Sequence, residues 1–260
     1  MIENKHELKG WLWLWLPLGL FVLIIGTALT NNDIYIIFFC GELGAVELLT
    51  PLILVPAIIS GFVIFINREK LVARQLGYWI LLVTLACIYI AGEEISWGQQ
   101  LVGWGTPEWV KEINDQHETN LHNMSSWFDQ KPRLLLEISV LIGGIFLPLK
   151  RKLQGTHLPR DSWQYWLCPT IVCLPTAIMA ILSRMPDRIM DLFEIAGDML
   201  TNVRYSEVQE LYFAIFLMVY LLSFRKRLRL STWHKNGHRD RFLCMLELLI
   251  QIYIFSDIMH

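Results

Sequence analysis

Two adjacent carboxylates, Glu93 and Glu94, close a long apolar run, and a glutamate and a histidine four apart, Glu118 and His122, follow soon after. Residues four apart share one face wherever a helix carries them. A carboxylate and an imidazole so placed make a two-point chelate for a divalent ion, which then needs further ligands from elsewhere in the chain. Glu42 and Glu47 are the candidates for that role. Glu93, Glu94 and Glu210 are the candidates for the acid and base of a metal-assisted reaction, in which a bound ion brings the pKa of its water to about 7. Zinc suits such a site for hydrolysis or group transfer, and iron suits a set rich in carboxylates and poor in histidine. A zincin helix is excluded, because His117 and His122 are five apart and diverge around a helix.

The elements that must position these groups are membrane spans. Of 260 residues, 54% are hydrophobic, and the mean hydropathy is +0.42. That apolar share exceeds the roughly 45–50% of a soluble domain. The excess gathers in runs at 11–30, 48–66, 76–93, 133–149, 162–183 and 208–224, with a weaker seventh candidate at 242–257 that either crosses the bilayer or lies on it. Crossing the hydrocarbon core takes about 20 apolar residues, and backbone in lipid must satisfy its own hydrogen bonds, so these runs predict helices. The expected fold is all-α: a polytopic transmembrane bundle of six to seven spans, forming a single integral-membrane domain over 1–260. The first span is expected to stay uncleaved, since its apolar core is longer than that of a signal peptide and no small-residue cleavage site follows. The five cysteines lie mostly in apolar runs without CxxC spacing and read as small hydrophobes.

Charge sets the expected orientation. Sixteen of the 22 Lys and Arg fall in 1–10, 67–75, 150–161 and 225–241, the connections that share a side with the N-terminus. The positive-inside rule puts that side in the cytoplasm and puts 31–47, 93–133 and 184–207 outside. Every candidate carboxylate named above, together with His122, then lands on the outer side, where distant segments converge. The overall charge of −2 conceals this separation and suggests no nucleic-acid partner.

Between the third and fourth spans, 97–131 is neither a plain loop nor a span. It carries Trp97, Trp104, Trp109 and Trp127, broken by Gly103, Gly105 and Pro107. Amphipathic Trp favours the headgroup level, so the segment is expected to lie flat or re-enter the bilayer. Thr106 before Pro107 and Glu108 reads as a helix N-cap. Structural roles compete with the catalytic ones. Glu93 and Glu94 can hold the turn by bonding to Gln99 or the Trp indoles, and Glu118 and His122 can be solvated residues of an interfacial helix. The acids at 187, 191, 194 and 198 follow the helical period and read as the wet face of such a helix. Glu137 and Glu210 lie within spans, where an ionisable residue should face the bundle interior or water and have a partner.

Gly92-Glu93-Glu94-Ile95-Ser96-Trp97-Gly98-Gln99, Thr106-Pro107-Glu108 and Asn120-Leu121-His122-Asn123 together resemble a family of bacterial polytopic membrane proteins of uncharacterised activity. The stretches Gly41-Glu42 to Thr50 and Val208-Gln209-Glu210 are similar to that family too. The resemblance implies a bacterial inner (cytoplasmic) membrane location and carries no activity with it. The leading expectation is a metal-dependent enzyme, using zinc or iron, with an outward-facing site for a membrane lipid or lipid-linked substrate. The alternatives are a proton- or cation-coupled transporter and a non-catalytic envelope assembly subunit.

Overall fold

The computed structural model describes residues 8–30, 35–36, 44–112, 114, 119–120, 124, 126–194 and 204–236. Glu42, Glu118, His122 and the segment 242–257 lie outside the described residues, as does Asp198. Within them the fold is all-α, with six helical stretches long and apolar enough to cross a membrane.

A π-helical turn, Trp11–Trp15, leads into α1 (Leu16–Thr30). Helix α2 (Ala45–Ile66) returns, and α3 (Arg74–Glu94) crosses again. Two short helices, α4 (Gln99–Val102) and α5 (Glu108–Lys111), follow. The fourth span joins α6 (Ser126–Ser139) through a π-helical stretch, Val140–Phe146, to α7 (Leu147–Gln154). The fifth is built of pieces, α8 (Trp163–Leu167), a 3-10 turn at Ile171–Cys173, α9 (Leu174–Leu182) and α10 (Met185–Phe193). Last comes α11 (Tyr205–Asn236).

Three differences from the expected spans have physical causes. Helices α2, α3, α6–α7 and α11 run past their uncharged runs, because a helix continues into the headgroup region while long Lys and Arg side chains reach out to water. The fifth span is interrupted at Cys168, which takes an extended conformation (φ −75°, ψ 133°) before Pro169, as the residue preceding a proline favours. Ser162 caps α8, its hydroxyl accepting from the Tyr165 N–H at 3.2 Å. The third concerns α5, a single turn that begins at Glu108 and ends at Lys111, because the Thr106 hydroxyl is engaged by Gln99 and caps nothing.

Helix α11 is the axis of the bundle. Of its most apolar 18 residues, 83% are buried, against 39% or less in each of the other five spans. It packs most extensively on α2 and α9. Tyr212 donates to the Pro17 carbonyl at 2.8 Å, tying α11 to α1. Gly144, in the π-helical stretch, lies so close to Ala177 and Phe216 that a Cβ there would stand 2.7 Å from each. Without a hydrophobic drive between helices in lipid, such close packing is what associates them. Because the spans alternate, Glu47, Glu94, Arg133 and Arg204 come to one end of the bundle. Arg68, Arg74, Lys150 to Lys152 and Arg225 to Arg229 come to the other. At that basic end Arg227 is buried among the rings of Tyr165, Trp166 and Phe224, 5.3–5.9 Å from their centroids, and donates to the Tyr165 and Trp166 carbonyls.

Candidate functional site

At the opposite end, four carboxylates and two guanidinium groups meet. Glu47 stands in the first turn of α2, Glu94 is the last residue of α3, and Glu207 and Glu210 lie on successive turns at the start of α11. Arg133 of α6 pairs with Glu210. Arg204, just before α11, reaches Glu207 at 2.6 Å and Glu47 at 3.3 Å. The Glu94 carboxyl faces that of Glu210, with Glu47 and Glu207 also near enough for their charges to act on it. Arg133 and Glu210 are only 19% and 24% exposed, which strengthens their attraction relative to a surface pair. One oxygen of Glu207, Oε2, is buried without a hydrogen-bond partner among the described residues.

Three other cations at this end pair as well. Arg188 reaches the buried Glu137 at 2.7 Å, Arg184 lies 3.6 Å from Asp187, and Lys111 lies 2.8 Å from Glu108. The span acids Glu137 and Glu210 thus each have an arginine partner, Arg188 and Arg133. Helix α10 carries Asp187 and Asp191 and ends at Glu194 in a left-handed conformation, φ 50°.

Glu93 and Glu94 are adjacent in sequence but belong to different neighbourhoods. Successive helical residues point about 100° apart, so Glu94 joins the carboxylates while Glu93 turns toward the following chain reversal. There the buried Glu93 accepts from the Trp97 indole N–H at 2.7 Å. The reversal is sharp: Ser96, Trp97 and Gly98 all take positive φ, at 47°, 57° and 97°. Such backbone is unfavourable for the two non-glycine residues and persists only when side chains fix it. Gln99 does much of this. Its amide nitrogen donates to Thr106 Oγ1 at 2.6 Å and to the Trp104 carbonyl at 3.2 Å, while its oxygen accepts from Thr119 N at 2.7 Å. Asn120 donates to Ser96 Oγ, and Asn114 donates to the carbonyl and side-chain oxygens of Asn120.

Much of the Glu-Glu-Ile-Ser-Trp-Gly-Gln motif therefore builds a turn. Thr106, expected as an N-cap, instead accepts from Gln99, and α5 begins at Glu108 with no side-chain cap. The Trp97 ring folds back over Gly92, where an added Cβ would stand 2.8 Å from it. Gly92→Ala should displace that ring and destabilise the turn by about 1–3 kcal/mol, the usual range for overpacking. Thermal unfolding in detergent would show the loss, and Gly103→Ala makes a poor substitute control because φ there is +78°. Gly26→Ala, with open space around it, is the suitable control.

Of the expected site residues, the structure brings Glu47, Glu94 and Glu210 together and sets Glu93 apart. Among the described residues, no three His, Cys, Asp or Glu side chains are arranged to hold a metal ion. Sequence reasoning passed over Arg133, Arg204 and Glu207 as site residues. The available signal was the scarcity of cations on that side: an arginine placed at a span end against the charge bias needs an acidic neighbour.

Fold and site together define a polytopic helical membrane protein with a one-sided carboxylate–arginine cluster at the end of its central helix. No protein family, curated protein or solved structure matches the chain.

Proposed function

We propose that this chain is an enzyme of the bacterial cytoplasmic membrane that acts on a lipid or lipid-linked substrate at its outward-facing end. The observation that carries the reading is the meeting of Glu94 and Glu210 from two spans beside Arg133, with Glu47, Glu207 and Arg204 completing the cluster. In such a pair one group accepts a proton from an attacking water or hydroxyl while the other donates to the departing oxygen. Arg133 balances the charge of Glu210, and Arg204 does the same for Glu47 and Glu207. Transport fits less well. From Leu211 to Phe224, helix α11 carries no charged residue, so the carboxylates form a site at one leaflet and do not continue through the bundle. Intramembrane ionisable groups of a proton pathway run deeper.

A divalent metal, zinc or iron, would be held by Glu118 and His122 with Glu42 or Glu47, and would supply an activated water. Glu47 would share its carboxylate between such an ion and Arg204, which lies 3.3 Å from its Oε1.

Lipid extracts from cells expressing equal amounts of the wild type, Glu94→Gln and Glu210→Gln test the proposal. Mass spectrometry should show one lipid class changed by the wild type and unchanged by either variant. Indistinguishable profiles for all three, with folded protein in the membrane, would overturn it. Elemental analysis of the purified wild type beside Glu118→Ala and His122→Ala decides the metal separately: near-stoichiometric zinc or iron in the wild type alone supports it, and none in any of them removes it.

A further inference from the structure

We propose that residues 96–112 form a wedge set into the lipid leaflet at the carboxylate end of the bundle, with Ser96 and Thr106 turned inward, Trp97, Val102, Trp104 and Trp109 turned into lipid, and its charged end at Glu108–Glu112 meeting water. The inference rests on the membrane-spanning fold alone and is independent of the chemistry proposed above.

The segment is inverted relative to a water-exposed loop. Two of its uncharged polar side chains are inside, Ser96 at 0% and Thr106 at 8% exposed, and the residues that seal it from behind, Asn114 and Asn120, are 2% and 1% exposed. Its apolar side chains are outside: Val102 is 76% exposed, Trp109 66%, Trp97 47% and Trp104 41%. Non-helical backbone is tolerated at membrane depth only where protein satisfies its polar groups. That condition is met here by side chains. Gln99 takes up the Trp104 carbonyl, Thr119 Oγ1 donates to the Ser96 carbonyl at 3.1 Å, and the Gly103 N–H returns to the Gln99 carbonyl at 2.7 Å. The indole N–H groups of Trp97 and Trp104 point back to Glu93 and Thr119, which leaves their ring surfaces to face outward.

The occupant of this surface follows from continuity. Trp97 packs edge-on against Tyr89 of α3, with centroids 6.4 Å apart. Further along α3, Leu82 and Leu85 are exposed on a helix that crosses the membrane, so the surface there is lipid-facing. The wedge extends that face toward the headgroups. The Glu108–Lys111 ion pair, exposed on α5, marks where it meets water. Trp127, 60% exposed in the first turn of α6, continues the aromatic level on the next span.

The test uses the full chain in lipid nanodiscs holding one copy each, so that reagent reaches both faces and no second copy can shield the surface. Single cysteines are introduced as Val102→Cys, Trp109→Cys and Lys111→Cys with the native cysteines kept. Modification by a charged, membrane-impermeant maleimide is followed peptide by peptide by mass spectrometry. Val102→Cys and Trp109→Cys should react at least tenfold more slowly than Lys111→Cys, and adding Gln99→Ala should speed the reaction at Val102→Cys by loosening the turn. Reaction of Val102→Cys within twofold of Lys111→Cys in folded protein would overturn the proposal and place the face in water. A spin label at Val102→Cys gives an independent reading should the maleimide rates be compressed. Greater collision with oxygen than with a water-soluble nickel complex is expected, and the reverse order would also overturn it.

Discussion

Arg133→Met should destabilise the folded bundle by about 2–4 kcal/mol, close to the cost of removing one partner from a largely buried ion pair. The loss comes less from the attraction itself than from what it leaves behind. Glu210 would remain on the central helix beside Glu94, with Glu47 and Glu207 adding to the repulsion and Arg204 already engaged by both of those acids. Three comparisons isolate this cause. Arg133→Lys keeps the charge and should lose less, though it gives up the planar fork that suits a carboxylate. The double variant Arg133→Met/Glu210→Gln should recover most of the loss, since the buried charge leaves with its partner. Arg188→Met should also destabilise, because it leaves Glu137, 7% exposed in the fourth span, without its partner, and Arg188→Met/Glu137→Gln should recover that loss in the same way. Thermal unfolding followed by size-exclusion chromatography in one detergent gives all of these values. Equal losses for Arg133→Met with and without Glu210→Gln would mean the arginine acts by packing and not by charge.

Much of this architecture is legible in the sequence because lipid imposes a simple rule, that uncharged runs of sufficient length cross. The rule reads the lipid-facing spans well and the protein-facing one poorly. Helix α11 has the lowest mean hydropathy of the six candidate spans, yet it is the most buried, because a helix surrounded by protein can carry Glu207, Gln209 and Glu210 where a lipid-facing one cannot. Its central place is therefore written in its polar residues, a signal that a hydropathy window discounts. The convergence of Glu47, Glu94 and Glu210 is likewise legible, since alternating spans put all three at one end. Which of two adjacent glutamates joins them is not, because that depends on the rotation of α3 about its axis. The Trp97 indole decides it by claiming Glu93 for the turn. The N-cap reading of Thr106 missed a competition: the Thr106 hydroxyl accepts from Gln99 instead of capping, and α5 spans a single turn. The pairing of Glu118 with His122 falls outside the described residues.

Gly61→Ala should be among the most damaging single-methyl additions in the protein. Helices α2 and α3 approach so closely at this point that an added Cβ would stand 1.9 Å from Thr84 Oγ1 and 2.9 Å from Thr84 Cβ. Thr84 cannot easily give way. It is fully buried, its hydroxyl donates to the Ile80 carbonyl at 2.7 Å, and rotating it would leave the Cβ conflict in place. The helices must then separate, at a cost of about 3 kcal/mol or more, the upper part of the overpacking range. Separation acts beyond stability, because this contact sets how α2 lies against α3, and the ends of those helices carry Glu47 and Glu94. Moving the small residue to the other helix tests the argument. Gly61→Ala/Thr84→Gly restores room at the crossing and should recover stability in part, less the roughly 1 kcal/mol that a helical glycine costs. Gly19→Ala and Gly26→Ala, with nothing within 4 Å of the added methyl, should be neutral or slightly stabilising in the same measurement. If Gly61→Ala unfolds at the same temperature as those two, α2 and α3 do not touch here, and the position of Glu47 relative to Glu94 must be set by α11 alone.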